Sequence, residues 1–89
     1  MSELIWSDDA WADYQYWQAQ DKRTLKRINL LIKDIERNGC SDGIGKPEAL
    51  TGSLQGEFSR RINEKDRLVY HMENGRIYIA HCRGHYSDK

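Results

Sequence analysis

Asn74-Gly75 lies between two alternating runs of β-branched and aromatic residues, Arg67 to Met72 and Ile77 to His81. No other feature constrains the fold as tightly. A two-residue type I′ turn needs positive φ at both central positions, and Asn-Gly adopts it at little cost. The turn fixes a pairing in which Glu73 faces Arg76, Met72 faces Ile77, His71 faces Tyr78 and Tyr70 faces Ile79. Continued, it sets Val69 against Ala80, Leu68 against His81 and Arg67 against Cys82. Arg67 then lies beside Arg83 at the end of the hairpin far from its turn, where the run Arg83 to Tyr86 leaves the second strand.

Upstream, Leu4 to Trp6 reads as a short apolar strand. Ser7 is a suitable N-cap for a helix whose first turn holds Asp8 and Asp9, favourable against the helix dipole. Ala10, Trp11, Tyr14, Trp17 and Gln18 follow at helical spacing, and that stripe reads as core. Asp21 caps a second helix with Leu25, Ile28, Leu31, Ile32 and Ile35 on its buried face, and Asn38-Gly39 ends it. Its outer face carries Lys22, Arg23, Lys26, Arg27, Lys33 and Arg37, the pattern of a solvated surface or of one that holds an acidic strand or an RNA backbone.

From Gly39 to Gly56 the chain is irregular, with five glycines and the only proline. Long loops in compact domains are more often functional than idle. Pro47 is expected to open a short helical turn that holds Glu48 in place. Glu57 to Ile62 makes a third strand joined to the hairpin by the polar turn Asn63 to Asp66. The expectation is a single α+β domain over residues 1–89: two N-terminal helices packed on one face of a small, mainly antiparallel sheet, with the N-terminal strand at its side or edge.

No apolar run reaches the length needed to cross a bilayer, and the first residues lack the layout of a secretory signal, so a soluble, cytoplasmic protein without membrane attachment is expected. Cys40 and Cys82 are too few for a disulfide framework and match no zinc spacing. His81 and Cys82 point to opposite faces of a strand and should not share an ion, so neither a metal nor another cofactor is expected. Formal net charge is zero, which removes any appeal to a global basic excess. The distribution is uneven: residues 1 to 21 hold five acids and no Lys or Arg, leaving fourteen basic against nine acidic residues in the rest.

The charged residues of the second half form a chemically coherent set: Glu48, Arg60 or Arg61, Arg67, Arg83, His85 and Tyr86. RNA is cleaved when its own 2′-OH attacks the adjacent phosphorus, which takes a proton acceptor, charge stabilisation of the pentacoordinate state and a proton donor for the 5′-oxygen. Glu48 can accept, arginines can stabilise the phosphorane, and His85 can donate near neutral pH. Each also has an ordinary reading: His85 as a solvated histidine near the end of the chain, and Arg67 as the partner of Glu64 or Asp66.

The chain closely resembles the YoeB (Txe) branch of the RelE/ParE superfamily of toxins from type II toxin-antitoxin modules. The resemblance is carried by Leu4-Ile-Trp6, Asp13-Tyr-x-Tyr-Trp-Gln18 with Asp21-Lys22, Ile28-Asn29 and Leu31-Ile-Lys-Asp34. It continues through Gly45-Lys-Pro-Glu48 with Leu50, Ser59-Arg-Arg-Ile62, Arg67-Leu-Val-Tyr70, Cys82-Arg83 and His85-Tyr86. It implies a RelE-like fold and a metal-independent endoribonuclease that cuts messenger RNA in the ribosomal decoding site. It also implies inhibition by a YefM-like antitoxin, promoter DNA reached only through that antitoxin, and a toxin that is often a homodimer.

By the same resemblance Glu48 is the general base, Arg67 the transition-state arginine and His85 the acid. Tyr86 helps position or stack on the RNA, and Lys46 and Arg61 contact phosphate, with Arg60 and Arg83 as further RNA-binding candidates. The family usually carries lysine where this chain has Thr51, tends to end at the His-Tyr pair where Ser87, Asp88 and Lys89 follow here, and commonly has a bulkier residue than Gly84. Two other classes stay open: a non-catalytic poison of the same fold acting on DNA gyrase, and an antitoxin-binding co-repressor.

Overall fold

The computed structural model describes residues 2–85. The elements run β1 (Glu3–Trp6), α1 (Asp8–Gln20), α2 (Lys22–Asn38), β2 (Glu48–Ala49), a 3₁₀ turn (Gly52–Leu54), β3 (Phe58–Arg61), β4 (Arg67–Glu73) and β5 (Arg76–His81). They form one five-stranded sheet in the order β1-β5-β4-β3-β2. Only β1 pairs parallel, along β5 at the edge; the other neighbours are antiparallel. The architecture is the expected α+β one.

Local chemistry sets the helix boundaries. Ser7 Oγ accepts the Ala10 N–H at 3.0 Å, and Asp21 accepts the Arg23 and Thr24 N–H groups and the Thr24 hydroxyl. The Thr24 bonds hold the Asp21 carboxyl below the usual carboxylate range. Gly39, at φ 85°, ends α2 with its N–H on the Ile35 carbonyl. The two helices cover one face of the sheet: Ala10, Trp17, Ile28, Leu31, Ile32 and Ile35 pack with Ile62, Leu68, Tyr70, Ile77, Ile79 and Cys82.

The aromatic stripe of α1 is only partly core. Trp17 is buried, with its indole N–H on the Cys82 carbonyl at 2.9 Å, whereas Trp11 is 46% exposed and stacks with Tyr14 beside Trp6. Helix α1 sits at the rim of the sheet, so a stripe with one periodicity faces two environments.

The hairpin has the expected turn, with Asn74 at φ 52° and Gly75 at φ 77°, and the expected pairs from Glu73–Arg76 to Tyr70–Ile79. A bulge then shifts the register, so that Val69 faces His81 rather than Ala80, and the pairs expected beyond it shift too. The cause lies in β1 and α1, which capture the end of β5. Ser7 donates its hydroxyl to the Ala80 carbonyl (2.6 Å) and its N–H to that of Ile79 (3.0 Å), and the Cys82 N–H goes to Asp13 (3.0 Å). The shift leaves the Gly84 carbonyl to accept the Arg67 N–H at 3.1 Å.

The irregular segment after α2 is organised by Arg60, which is fully buried. Nε donates to the Tyr70 hydroxyl, Nη1 to Asp34 and the Ile44 carbonyl, and Nη2 to the Gly39 and Asp42 carbonyls. All five N–H groups are thus used. Arg60 is therefore a structural hub and not the RNA-binding residue it was expected to be. The bond from Arg60, with a second from the Ile44 N–H, holds the Asp34 carboxyl below the usual range.

A carboxylate so depressed contributes stability above its unfolded pKa and loses it as pH falls through the lower folded value. Asp34→Asn should therefore be less stable than the native chain at pH 7, and the gap should narrow below about pH 4, as read from urea midpoints. A gap that stays constant into acid contradicts this.

Candidate active site

Neighbouring strand residues face opposite sides, and β3 divides accordingly. Phe58 and Arg60, opposite Tyr70 and Leu68, belong to the helix side, while Ser59 and Arg61, opposite Val69 and Arg67, face away from the helices. Glu48 pairs with Ser59 on the adjoining edge strand. The expected helical turn at Pro47 is not formed. Here the segment is extended, its course set by the Gly45 carbonyl accepting the Arg61 N–H (2.6 Å) and the Leu50 N–H reaching the Glu57 carbonyl (2.9 Å).

Gly45 must be glycine for this approach: at φ 81°, an added Cβ would lie 2.8 Å from a Leu31 methyl. Lys46 follows at φ 53°, in the left-handed region. The segment lies against β3 instead of hanging free.

Between these strands and His85 opens a cleft of about 330 Å³, lined by Lys46, Pro47, Glu48, Ser59, Arg61, Arg67 and His85. Five of the eight candidate residues, Glu48, Lys46, Arg61, Arg67 and His85, thus open onto one concavity. Arg60 lies behind it in the core. Arg83 stacks over the Tyr16 ring, its guanidinium carbon 3.6 Å from the ring centre, and is not among the cleft-lining residues. Tyr86 lies outside the described residues.

Arg67 is 9% exposed, and its contacts differ from both ordinary readings. It makes no carboxylate pair with Glu64 or Asp66 among the described residues. Nη1 instead donates to the backbone carbonyls of Asn63 (2.7 Å), Glu64 (3.1 Å) and Asp66 (3.2 Å). Among the described residues these bonds all run through one nitrogen, Nη1, and they fix the guanidinium in place.

Arg61 stands directly across from Arg67. Like charges in that position repel, and with Lys46 beside them they favour an anion. Three cations and one carboxylate around a small cleft suit a phosphodiester with an adjacent proton acceptor. Composition had given no hint of this, because the charge is local while the sum is zero.

The other histidines lie elsewhere. His71 stacks on Tyr78, with ring centroids 4.8 Å apart, and its Nδ1 lies 2.8 Å from Glu57. Burial lowers the pKa of His81, and burial pushes the Cys82 thiol up to about 12. Sequence reasoning missed Ser59, whose position follows from the alternation Phe58-Arg60-Ile62 against Ser59-Arg61. The Asn63–Asp66 turn was expected, but not that its carbonyls hold Arg67; its Asn-x-x-Asp pattern signals local side-chain bonding to backbone.

The chain matches the family described as YoeB-like toxin of bacterial type II toxin-antitoxin system over residues 6–86. It is 52% identical over 84 residues to Toxin YoeB of Escherichia coli strain K12, covering 94% of this chain and 99% of that protein. It superposes on a toxin chain of the YoeB-YefM complex from Staphylococcus aureus with a TM-score of 0.91 and 46% identity, covering 97% of this chain and 99% of that one. For the YoeB dimer from the same organism the TM-score is 0.90 and the identity 48%, covering 96% of this chain and 98% of that one.

Proposed function

The chain belongs to the family of YoeB-like toxins of bacterial type II toxin-antitoxin systems, and from that premise we propose that it is an endoribonuclease that cleaves messenger RNA in the ribosomal decoding site and arrests translation. One observation carries the chemistry: Glu48, Arg67 and His85 open onto a single cleft with Lys46 and Arg61. Glu48 takes the proton of the attacking 2′-OH. Arg67, held by three backbone carbonyls, offers its guanidinium to the non-bridging oxygens as charge builds on the phosphorane. His85 protonates the departing 5′-oxygen. Every role falls to a side chain, so the reaction needs no metal.

Lys46 and Arg61 hold flanking phosphates, and Lys46 takes over the contact a lysine at Thr51 would make. Tyr86 follows His85 in sequence and is assigned to base stacking. Arg83, engaged with Tyr16, is assigned to RNA beyond the cleft.

Relatives in this family are seen as a complex with YefM and as a dimer. A YefM-type antitoxin and self-association are accordingly proposed for this chain, with promoter DNA reached through the antitoxin. The cations of the cleft suit an acidic antitoxin segment that orders on binding. The ribosomal target places the protein in the cytoplasm; among the described residues no helix is long and apolar enough to cross a membrane.

Induced expression tests the reading in cells. Arrest of protein synthesis, relieved by the cognate antitoxin and without a DNA-damage response, is the expected outcome. A DNA-damage response would favour a gyrase poison, and unimpeded growth a non-toxic binding protein.

A further inference from the structure

The turn between β3 and β4 does more than cradle Arg67. Asp66 is buried, and its carboxylate reaches two segments: Oδ1 accepts the Gly84 N–H at 2.7 Å and Oδ2 accepts the Asn63 side-chain N–H at 2.9 Å. Asn63 Oδ1 in turn accepts the N–H groups of Lys65 and Asp66, both at 2.8 Å, which closes the turn on itself. The Asp66 carbonyl takes the Ile62 N–H and one bond from Arg67 Nη1. Gly84 is gripped from both sides, because its carbonyl accepts the Arg67 N–H.

At φ 80° Gly84 holds a left-handed bend that a side chain would strain, and His85 is the next residue. One buried carboxylate therefore joins the turn that orients the arginine to the segment that carries the histidine.

We propose that Asp66 is a positioning residue for cleavage, locking His85 into the cleft in register with Arg67. The inference rests on the ribonuclease reading for its consequence, though not for its geometry. The bond from a carboxylate to a backbone N–H is charge-assisted and buried, and therefore among the stronger kinds of hydrogen bond. Through it, the strand carrying Arg67 and the tail carrying His85 move as one body. Releasing Gly84 leaves both reacting groups present with the acid no longer held at its station.

The test compares the native chain with Asp66→Ala and with the double exchange Asn63→Asp plus Asp66→Asn. The exchange keeps an acceptor for Gly84 at residue 66 and reverses the donor between residues 63 and 66, so every hydrogen bond of the turn can form again. Two readouts are taken. Cleavage of a ribosome-bound messenger gives kcat and KM, and amide hydrogen exchange followed by NMR gives the protection of Gly84.

Asp66→Ala is expected to lower kcat by about 10 to 100-fold with KM nearly unchanged, as misplacement of a reacting group does, and to strip protection from the Gly84 amide. The double exchange restores both readouts. If the alanine variant does not fold, Asp66→Asn alone, which sets two side-chain amides against each other, should show the same losses to a smaller degree. Native-like cutting by Asp66→Ala, undiminished Gly84 protection, or a double exchange as slow as the alanine variant overturns the proposal. A native chain that makes no cuts overturns the ribonuclease reading, and the amide protection then decides the role of Asp66 by itself.

Discussion

Replacing His85 with alanine is expected to lower the rate of messenger cleavage on the ribosome by on the order of 10² to 10⁴-fold, the usual range for a general acid. The assignment makes a sharper claim than loss of rate. The 5′-oxygen of ribose is a poor leaving group and needs a proton as its bond to phosphorus breaks, whereas a 5′-sulfur leaves as a thiolate without one. On a messenger carrying sulfur at the scissile 5′ position, His85→Ala should recover most of its lost rate. Glu48→Ala should stay slow, because the 2′-OH must still lose its proton. Equal rescue of both variants, or of neither, contradicts the division of roles. KM should move little for His85→Ala, since Lys46, Arg61 and Arg67 remain to hold the phosphates.

The other large effect lies away from the chemistry. Arg60→Leu should reduce folding stability by about 3 to 5 kcal/mol, the cost of breaking a buried ion pair by removing one member. The native total for a domain of this length is only about 5 to 13 kcal/mol. Leucine fills part of the space but strips the Asp34 carboxylate of its counter-charge, leaving it the Ile44 and Asn38 N–H groups, and takes from the Gly39, Asp42 and Ile44 carbonyls the donors they found in one planar group. Tyr70 keeps one bond, since its hydroxyl also donates to the Cys40 carbonyl at 2.7 Å.

Arg60→Lys should recover little, because an ammonium has three donors and cannot reach in the planes a guanidinium spans. Urea unfolding checks both variants. A leucine variant within about 1 kcal/mol of native contradicts the hub. Because Arg60 binds the loop that leads into Lys46 and Glu48, a folded Arg60 variant should also cut more slowly.

The parts of this protein that sequence makes legible are those determined by neighbours along the chain. Asn74-Gly75 dictates its turn whatever surrounds it, and Ser7, Asp21 and Gly39 cap helices through bonds spanning a few residues. The parts it hides depend on distant partners. Glu48–Ala49 is a strand only because Ser59 and Phe58 lie alongside, and two residues carry no periodicity. The bulge at Val69 and Tyr70 arises because Ser7 and Asp13, more than fifty residues upstream, claim hydrogen bonds from the end of β5.

Arg60 and Arg61 are alike in composition and adjacent in sequence, yet the pleat sends one into the core and the other into the cleft. Phe58 and Ile62 on either side give the clue, since alternation puts them on the face of residue 60. The cleft was legible for a different reason. A carboxylate, cations and a histidine were singled out by the chemistry proposed for them, the resemblance to toxins of this family supplied the positions, and Glu48, Arg67 and His85 do line one cleft.

The most direct test of the central claim is primer extension on a messenger held in the ribosomal decoding site, after incubation with the native chain and with Glu48→Ala, Arg67→Ala and His85→Ala proteins shown to be folded. The account predicts discrete cuts by the native chain, each leaving a 2′,3′-cyclic phosphate, and their loss in all three variants. A native chain that binds its antitoxin and leaves the messenger whole, or folded variants that cut as it does, would contradict it.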